Sequence, residues 1–262
     1  MSGGGKGFSS GATVNTYSYF GNIAVGLCEG PIADIRRVWA DGTELDLTDL
    51  NFRVYTGHEH QEPDGFIEAL QGAGKTPGYK GLAYIVFEDL PLANFGNRIP
   101  QLTFEVLRPV GDLEGNIKAV TIIPGASEYA YEPALVQETI SEGNNRSLNR
   151  HVLYAGSDWE ASINELQALC PNLKNVALVV AWFGTDLRCG QCKVEPRVEV
   201  PQRSDATQDW TVSGIRRSDA NLVSQIDAGA AFGGTPSDQS VYNAIKDLNK
   251  RGLSVTIYPF LM

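Results

Sequence analysis

The sequence predicts a multidomain α+β chain, in which an antiparallel β domain is followed by the beginning of a (β/α) domain. Up to about residue 112, short segments rich in Val, Ile, Tyr and Phe alternate with turn residues, which is typical of an antiparallel barrel or sandwich. Beyond that point, strand-like and helix-like segments alternate, as they do in βαβ units. The continuous apolar stretch at residues 176–183 is typical of a parallel strand buried on both faces.

The most informative stretch of the first half is residues 79–109. It predicts strands at residues 82–87 and 102–107, joined by a structured loop containing two prolines, so that the second strand returns beside the first. Glu88 and Asp89 follow the first of these strands. Adjacent carboxylates on an extended chain point to opposite sides, so they are poorly placed to work as an acid/base pair.

The rest of the first half predicts a flexible arm and further short strands. Residues 1–16 are rich in Gly and Ser, a composition that cannot bury enough surface to become ordered on its own. The β domain is therefore placed at residues 17–112. Its other strands are predicted at residues 17–27, 32–40, 43–47 and 53–56, and a short helix at residues 66–70.

Residues 113–262 predict the beginning of a (β/α) barrel or another α/β fold. Strands are predicted at residues 118–123, 176–183, 210–215 and 253–260, the last of them buried. One helix begins at Ser157 with a capping box to Glu160, and a second begins with Thr235 as N-cap. Because a buried strand at the end would leave an open edge, we expect this chain to begin a longer polypeptide.

The composition excludes several classes of function. The chain has 31 acidic and 21 basic residues and a net charge of −10, unlike a general nucleic-acid binder or a polybasic membrane-surface protein. It has neither an apolar run of about 18 residues nor a signal-peptide pattern. We therefore expect synthesis in a cytoplasm, where cysteines remain mostly thiols.

Three short motifs could bind ligands, each with a simpler alternative. Cys189 and Cys192 form a C-x2-C pair, which could be half of a zinc or iron–sulfur site, but no second pair completes it. The alternative is that they are ordinary loop cysteines, which could form a disulfide after release from the cell. His58 and His60 lie in a polar loop, where exposure is the usual state. Residues 233–235 (GGT) could hold an anion before a helix, or form a tight cap. We expect no metal and no cofactor.

Candidate catalytic and sugar-binding residues follow the predicted strands of the second half. Glu128, Asp186 and Glu195 lie where (β/α) barrels build their sites. A carboxylate pair near a Trp is the arrangement used in glycoside hydrolysis. Trp182 and Trp210 are the candidate carbohydrate-binding residues. The alternative is that the carboxylates are ordinary loop acids, since the chain has 31 acidic residues.

Two segments of the first half, residues 17–47 (YSYFGNIAVGLCEGPIADIRRVWADGTELDL) and 79–106 (YKGLAYIVFEDLPLANFGNRIPQLTFEV), resemble the N-terminal region of the large distal tail-tip, or host-specificity, proteins of siphophages and gene transfer agents. The second half resembles the start of their TIM-barrel-like, glycoside-hydrolase-like domain. The segments that carry this second resemblance are residues 119–129, 158–173, 176–196 and 233–262.

The resemblance implies a structural protein at the tail tip or baseplate of a phage-like particle that is assembled in a bacterial cytoplasm. It implies a trimeric hub that closes the tail tube and helps to deliver DNA. The implied partners are other hub proteins, the distal tail ring, the tape-measure protein and, through downstream domains, the host envelope, with DNA only in transit. We expect no enzymatic activity. The alternative classes are a cell-wall or polysaccharide hydrolase carried on the tail tip and a carbohydrate-binding module.

Overall fold

The computed structural model describes residues 17–125, 127–227 and 229–262, and the predicted arm at residues 1–16 lies outside them. The α-helices and strands of the first half are, in chain order, β1 (Phe20–Glu29), β2 (Asp34–Ala40), β3 (Thr43–Glu44), β4 (Asn51–Tyr55), α1 (Gly65–Gln71), β5 (Leu82–Pro91) and β6 (Leu102–Leu107). Those of the second half are α2 (Leu113–Asn116), β7 (Ala119–Ile122), β8 (Gln137–Ser141), β9 (Asn144–Ser147), α3 (Asp158–Leu169), β10 (Asn175–Gly184), β11 (Val194–Glu195), β12 (Arg197–Val198), β13 (Thr211–Val212), β14 (Ile215–Arg216), β15 (Asn221–Leu222), β16 (Gln225–Ile226), β17 (Gly229–Ala230), α4 (Asp238–Lys250) and β18 (Ser254–Leu261).

The first half contains two antiparallel sheets, ordered β1-β5-β4 and β3-β2-β6. Their apolar side chains share one core, in which Val38, Ile85 and Phe87 are fully buried. The central strand β5 is buried on its outer face too, because Tyr55 stacks on Tyr84 with 4.4 Å between ring centroids. The prediction of many short antiparallel strands is therefore confirmed.

The two strands predicted at residues 82–87 and 102–107 are present as β5 and β6, but they do not pair with each other. β5 pairs with β1 and β4, whereas β6 pairs with β2 in the other sheet. The prediction that the second strand pairs with the first is therefore wrong. Residues 92–101, which we call the β5–β6 loop, carry the chain from one sheet to the other.

The second half contains a parallel sheet ordered β7-β10-β18, with β11 antiparallel to β10 at the other end of that strand. Helices α3 and α4 connect the parallel strands and bury Trp159, Ile163, Ala244 and Leu248 against β10. The whole is a mixed α+β fold. Within residues 17–125, 127–227 and 229–262 the sheets remain open and no closed barrel forms, so the (β/α) barrel is not confirmed.

Three local predictions of the second half need correction. The strand predicted as buried at residues 253–260 is β18, which pairs with β10 alone, and most of its side chains are exposed. Residues 210–215 form the β13–β14 hairpin, which turns at Ser213 (φ 49°) and Gly214 (φ 80°). The N-cap of α4 is Ser237 rather than Thr235, because the Ser237 hydroxyl accepts the Ser240 N–H at 3.1 Å. The Thr235 hydroxyl accepts the Arg197 N–H instead, also at 3.1 Å.

The helix predicted at Ser157 is α3, and its cap differs slightly from the predicted capping box. The Ser157 hydroxyl accepts the Glu160 N–H at 3.1 Å, while the Glu160 carboxylate accepts the N–H of Gly156 at 2.9 Å. Helix α4 has 13 residues, and none of the described helices is long and apolar enough to cross a membrane.

Polar contacts join the first half to the second. Arg150 Nη2 lies 2.7 and 2.8 Å from the two carboxylate oxygens of Asp46. Arg36 Nε donates to the Tyr154 hydroxyl at 3.1 Å, and Tyr154 packs against the core of the first half. The domain boundary at residue 112 stays a prediction.

Candidate functional site

The β5–β6 loop is an exposed segment with a fixed conformation. Leu92 and Pro100 are buried at its two ends, whereas residues 96–99 are exposed. Gly96 and Asn97 both adopt left-handed backbone angles, φ 65° and 56°, which Gly and Asn tolerate best. The Asn97 N–H donates to the Leu92 carbonyl at 3.0 Å. The loop therefore projects one defined shape into solvent.

A salt bridge attaches this loop to the turn between β2 and β3. Arg98 Nη2 lies 2.7 Å from Asp41 Oδ2, and the Gln101 N–H donates to Asp41 Oδ1 at 2.9 Å. The Gln101 hydrogen bond and then the Arg98 guanidinium hold the pKa of Asp41 below its ordinary value. Beside them Ile99 is 59% exposed. Ile99 is thus an exposed apolar side chain on an ordered loop.

A second feature is a cluster of three carboxylates and three guanidinium groups, which we call the Glu128 cluster. Its members are Glu128, Glu138, Arg146, Glu199, Arg203 and Arg217. The Glu128 side chain is fully buried and accepts hydrogen bonds from Arg217 and from the Glu199 N–H, the latter at 2.5 Å. Arg203 lies 3.2 Å from Glu199 and 3.5 Å from Glu138. Charges buried in this way are tolerated only when they are paired.

The environment of Glu199 changes its acidity. Burial, and then the neighbouring charge of Glu128, raise the pKa of Glu199 to about 7, although the Gly234 N–H and Arg203 oppose this shift. Burial also raises the pKa of Tyr129, which lies beside Arg217. Glu199 is therefore able to exchange a proton near neutral pH.

The structure brings Glu128 and Trp210 together through Arg217. The Arg217 guanidinium carbon lies 5.7 Å from the centre of the Trp210 ring, and Trp210 Nε1 donates to the Thr235 carbonyl at 2.8 Å. Trp210 is only 3% exposed, so a sugar would have to displace Arg217 to stack on it. Trp182 packs against the apolar cluster that contains Trp210. The sugar-binding role of both residues stays a prediction.

The other two candidate carboxylates lie in separate contacts. Glu195 accepts from Arg197 Nε at 3.1 Å and from Asn221 Nδ2 at 2.8 Å. Asp186 accepts from Arg188, whose hydrogen bonds lower the pKa of Asp186. Each of these acids is thus paired with an arginine, and their proposed catalytic roles stay predictions.

Cys189 and Cys192 lie in the loop between β10 and β11, and both thiols are free. Across residues 17–125, 127–227 and 229–262, no three His, Cys, Asp or Glu side chains are grouped so that they could hold a metal ion. His58 and His60 line a cleft of about 590 Å³ in the first half.

No sequence motif indicated three members of the Glu128 cluster, namely Glu199, Arg203 and Arg217. A weaker signal was present, because charged residues alternate at Glu195, Arg197 and Glu199, which places them on one face of an extended chain. In the GGT segment, the Gly234 N–H donates to the Glu199 carboxyl group at 3.2 Å, and the binding of an external anion there stays a prediction. A cleft of about 830 Å³ beside the cluster is lined by Tyr129, Arg203, Trp210, Arg216 and Arg217, among others.

Comparison with solved structures gives partial matches, one of which is to a virion chain. The chain is similar to one chain in a solved structure described as the virion of native gene transfer agent (GTA) particle, with 46% sequence identity. The match covers 39% of this chain and 25% of that chain, and the TM-score is 0.34, so the superposition adds nothing to the fold described above. No protein-family model matches the chain, and no curated protein matches it.

Proposed function

We propose that this chain is a structural component of a phage-like particle, located in the hub at the tail tip. The observation that carries the proposal is the resemblance of residues 17–47 and 79–106 to tail-tip proteins, since these segments supply most of both sheets of the first half. The 46% identity to a chain of a gene transfer agent particle supports it at the level of sequence. Because the match covers 25% of that chain, the activity of a whole tail protein is part of the proposal.

The β5–β6 loop is the surface through which we propose that the hub contacts its neighbours. It is held at both ends by buried residues, Leu92 and Pro100, and from the side by the Arg98–Asp41 salt bridge. A loop that is already ordered loses little conformational entropy when it binds. Its exposed Ile99 supplies an apolar contact of the kind that interfaces bury.

The finer features of this proposal are a trimer around the tail axis, closure of the tail tube and passage of DNA along the inner wall. The net charge of −10 suits a wall that must not retain DNA. We further propose that the second half begins a TIM-barrel-like domain, which the order β7-β10-β18 with intervening helices would suit. A reconstruction of the particle should place three copies of the first half around the axis. Another stoichiometry would overturn the trimer.

Changing the loop surface tests the assembly role separately from folding. The double substitution Arg98→Ser with Ile99→Asp should block incorporation into particles while the purified chain still unfolds cooperatively. Asn144→Ser with Asn145→Ser, at the exposed tip of the β8–β9 hairpin, is the matched control and should assemble normally. Normal incorporation of the loop variant would remove the β5–β6 loop from the proposed interface.

A second candidate, a polysaccharide hydrolase, is favoured by one observation. Glu199, with a pKa of about 7, lies against Glu128, and two carboxylates of different acidity are the arrangement found in acid/base catalysis. Against it, Glu128 is fully buried and paired with Arg217, so no substrate reaches it in this conformation. Release of sugars from peptidoglycan or capsule that disappears in both Glu128→Gln and Glu199→Gln would support the hydrolase.

A further inference from the structure

The loop between β10 and β11 contains a tight turn that includes both Cys189 and Cys192. The Arg188 carbonyl accepts the N–H groups of both Gln191 (2.9 Å) and Cys192 (3.0 Å), so residues 188–192 form a single turn. Residues three apart in such a turn have Cα atoms within about 7 Å. A disulfide needs a Cα separation of about 4.4–6.8 Å. Cys189 and Cys192 lie three residues apart within this turn, so we expect their Cα separation to fall in or near that range.

The two cysteines differ in how firmly they are held. Cys192 Sγ packs over Gly184 at the end of β10, where it would lie 3.0 Å from an added Cβ. The base of the loop is closed by Thr185, whose N–H donates to the Lys193 carbonyl at 3.0 Å and whose hydroxyl accepts the Lys193 N–H at 2.9 Å. Cys189 is exposed on the outer side of the turn. We therefore expect bond formation to proceed mainly by movement of the exposed Cys189.

The remaining cysteines are less suited to forming an intramolecular disulfide. Cys170 is buried, and burial raises the pKa of its thiol, which disfavours the reactive thiolate. Cys28 lies on β1, in the first half, and its sulfur is 3.6 Å from Arg108 Nη2, a cation that favours the thiolate, but the chain has no other cysteine within 140 residues of it. Disulfide formation is therefore expected to be selective for the loop pair.

We propose that Cys189 and Cys192 are a redox-modification site, which forms an intramolecular disulfide by exchange with a small-molecule disulfide such as oxidised glutathione. The Cys189 thiolate attacks one glutathione sulfur and releases the first reduced glutathione. The Cys192 thiolate then attacks Cys189 Sγ and releases the second. Two electrons pass from the cysteine pair to the glutathione disulfide, and the two cysteine protons end on the released thiols.

The disulfide fixes the tip of the β10–β11 loop. Arg188, which immediately precedes Cys189, has a side chain that is 72% exposed, so trypsin can reach it in the reduced protein. A protease must draw its substrate into an extended conformation. The closed ring resists this, so cleavage after Arg188 is expected to slow severalfold on oxidation.

The experiment equilibrates the purified full chain in glutathione buffers of decreasing reduced-to-oxidised ratio, alkylates the remaining thiols and maps the peptides by mass spectrometry. We expect a Cys189–Cys192 crosslink while Cys28 and Cys170 are still alkylated, together with slower cleavage after Arg188. The Cys28→Ser, Cys170→Ser double variant should behave identically, and Cys189→Ser should lose the crosslink.

Three results would overturn the proposal. The first is a pair that stays reduced in fully oxidised glutathione, and the second is a stable glutathione adduct on Cys189 in place of the ring. The third is protection of both thiols from alkylation by stoichiometric zinc, which would make the pair metal ligands instead.

Discussion

Arg150 holds Asp46 with one guanidinium nitrogen, Nη2, which lies within 2.8 Å of both carboxylate oxygens. Asp46 precedes a short 3-10 helix of the first half, and Arg150 follows the β8–β9 hairpin of the second. Burial tends to raise the pKa of Asp46, but the hydrogen bonds from Thr48 and Arg150 outweigh it and keep the pKa low. This pair therefore couples the two halves of the chain.

Replacing Arg150 with Ala should loosen that coupling. The guanidinium also donates to the Ala155 carbonyl at 2.9 Å, so its loss removes that hydrogen bond and leaves Asp46 with only its hydrogen bonds from Thr48. We expect a loss of roughly 1–2 kcal/mol in the free energy of unfolding, measured by urea denaturation. Arg188→Ala, which breaks the exposed pair with Asp186, is the control and should change the free energy of unfolding by less than about 0.5 kcal/mol. Equal effects of the two substitutions would contradict the coupling role.

Breaking the buried pair between Glu128 and Arg217 should lower the free energy of unfolding by more than the Arg150→Ala substitution does. Arg217→Ala leaves the buried Glu128 carboxylate with only the more distant Arg203, at 3.8 Å, as a cation, and it also uncovers the Trp210 ring. Removal of one partner from a buried ion pair typically costs roughly 3–5 kcal/mol. Thermal unfolding should show a far larger fall in Tm for Arg217→Ala than for Arg188→Ala. The double variant Glu128→Gln, Arg217→Met should recover part of the loss, and no recovery would argue against an uncompensated charge as the cause.

Glu199 gives the protein a specific dependence on pH. Its pKa is raised from 4.5 to about 7 in the folded chain, so folding favours the protonated form. Its stabilising contribution is fully present below pH 4.5 and is lost as the pH rises through about 7. The difference corresponds to roughly 3 kcal/mol at 1.36 kcal/mol per pKa unit.

The test is the slope of unfolding free energy against pH between 4.5 and 8. Glu199→Gln cannot ionise, so it should flatten the decline that the unchanged chain shows over this interval. Glu142→Gln removes a carboxylate from the exposed tip of the β8–β9 hairpin and should leave the slope unchanged. A Glu199→Gln variant with the original slope would assign the pH dependence to another group.

The strands of the first half could be predicted from sequence because their signal is local. The apolar alternation of residues 102–107 follows directly from the period of a strand with one buried face. The pairing of strands depends on residues far apart in the chain. No feature of residues 79–109 indicates that β5 pairs with β1 and β4 while β6 pairs with β2. Strand existence was therefore predictable from the pattern, and sheet membership was not.

The same limit applies to the Glu128 cluster. Glu128 could be singled out because it follows β7, but its partners Arg203 and Arg217 come from distant loops with no distinguishing motif. Burial of β18 was predicted wrongly for a related reason. An apolar strand sequence indicates what could be buried, while the number of neighbouring strands and helices determines what is buried.

Gly234 is the position where the packing of the cluster can be tested most directly. A Cβ at this residue would lie 2.8 Å from both the Arg197 carbonyl oxygen and Glu128 Cγ, closer than van der Waals contact permits. Gly234→Ala should therefore push the 197–199 segment away from Glu128 and destabilise the chain by about 1–3 kcal/mol.

Gly65→Ala is the matched control, since Gly65 begins α1 with open space around it, and Ala is the better helix former. We expect Gly65→Ala to leave the free energy of unfolding unchanged or slightly raised. Equal tolerance of Ala at the two positions, measured by chemical denaturation, would mean that the close approach at Gly234 does not exist in solution.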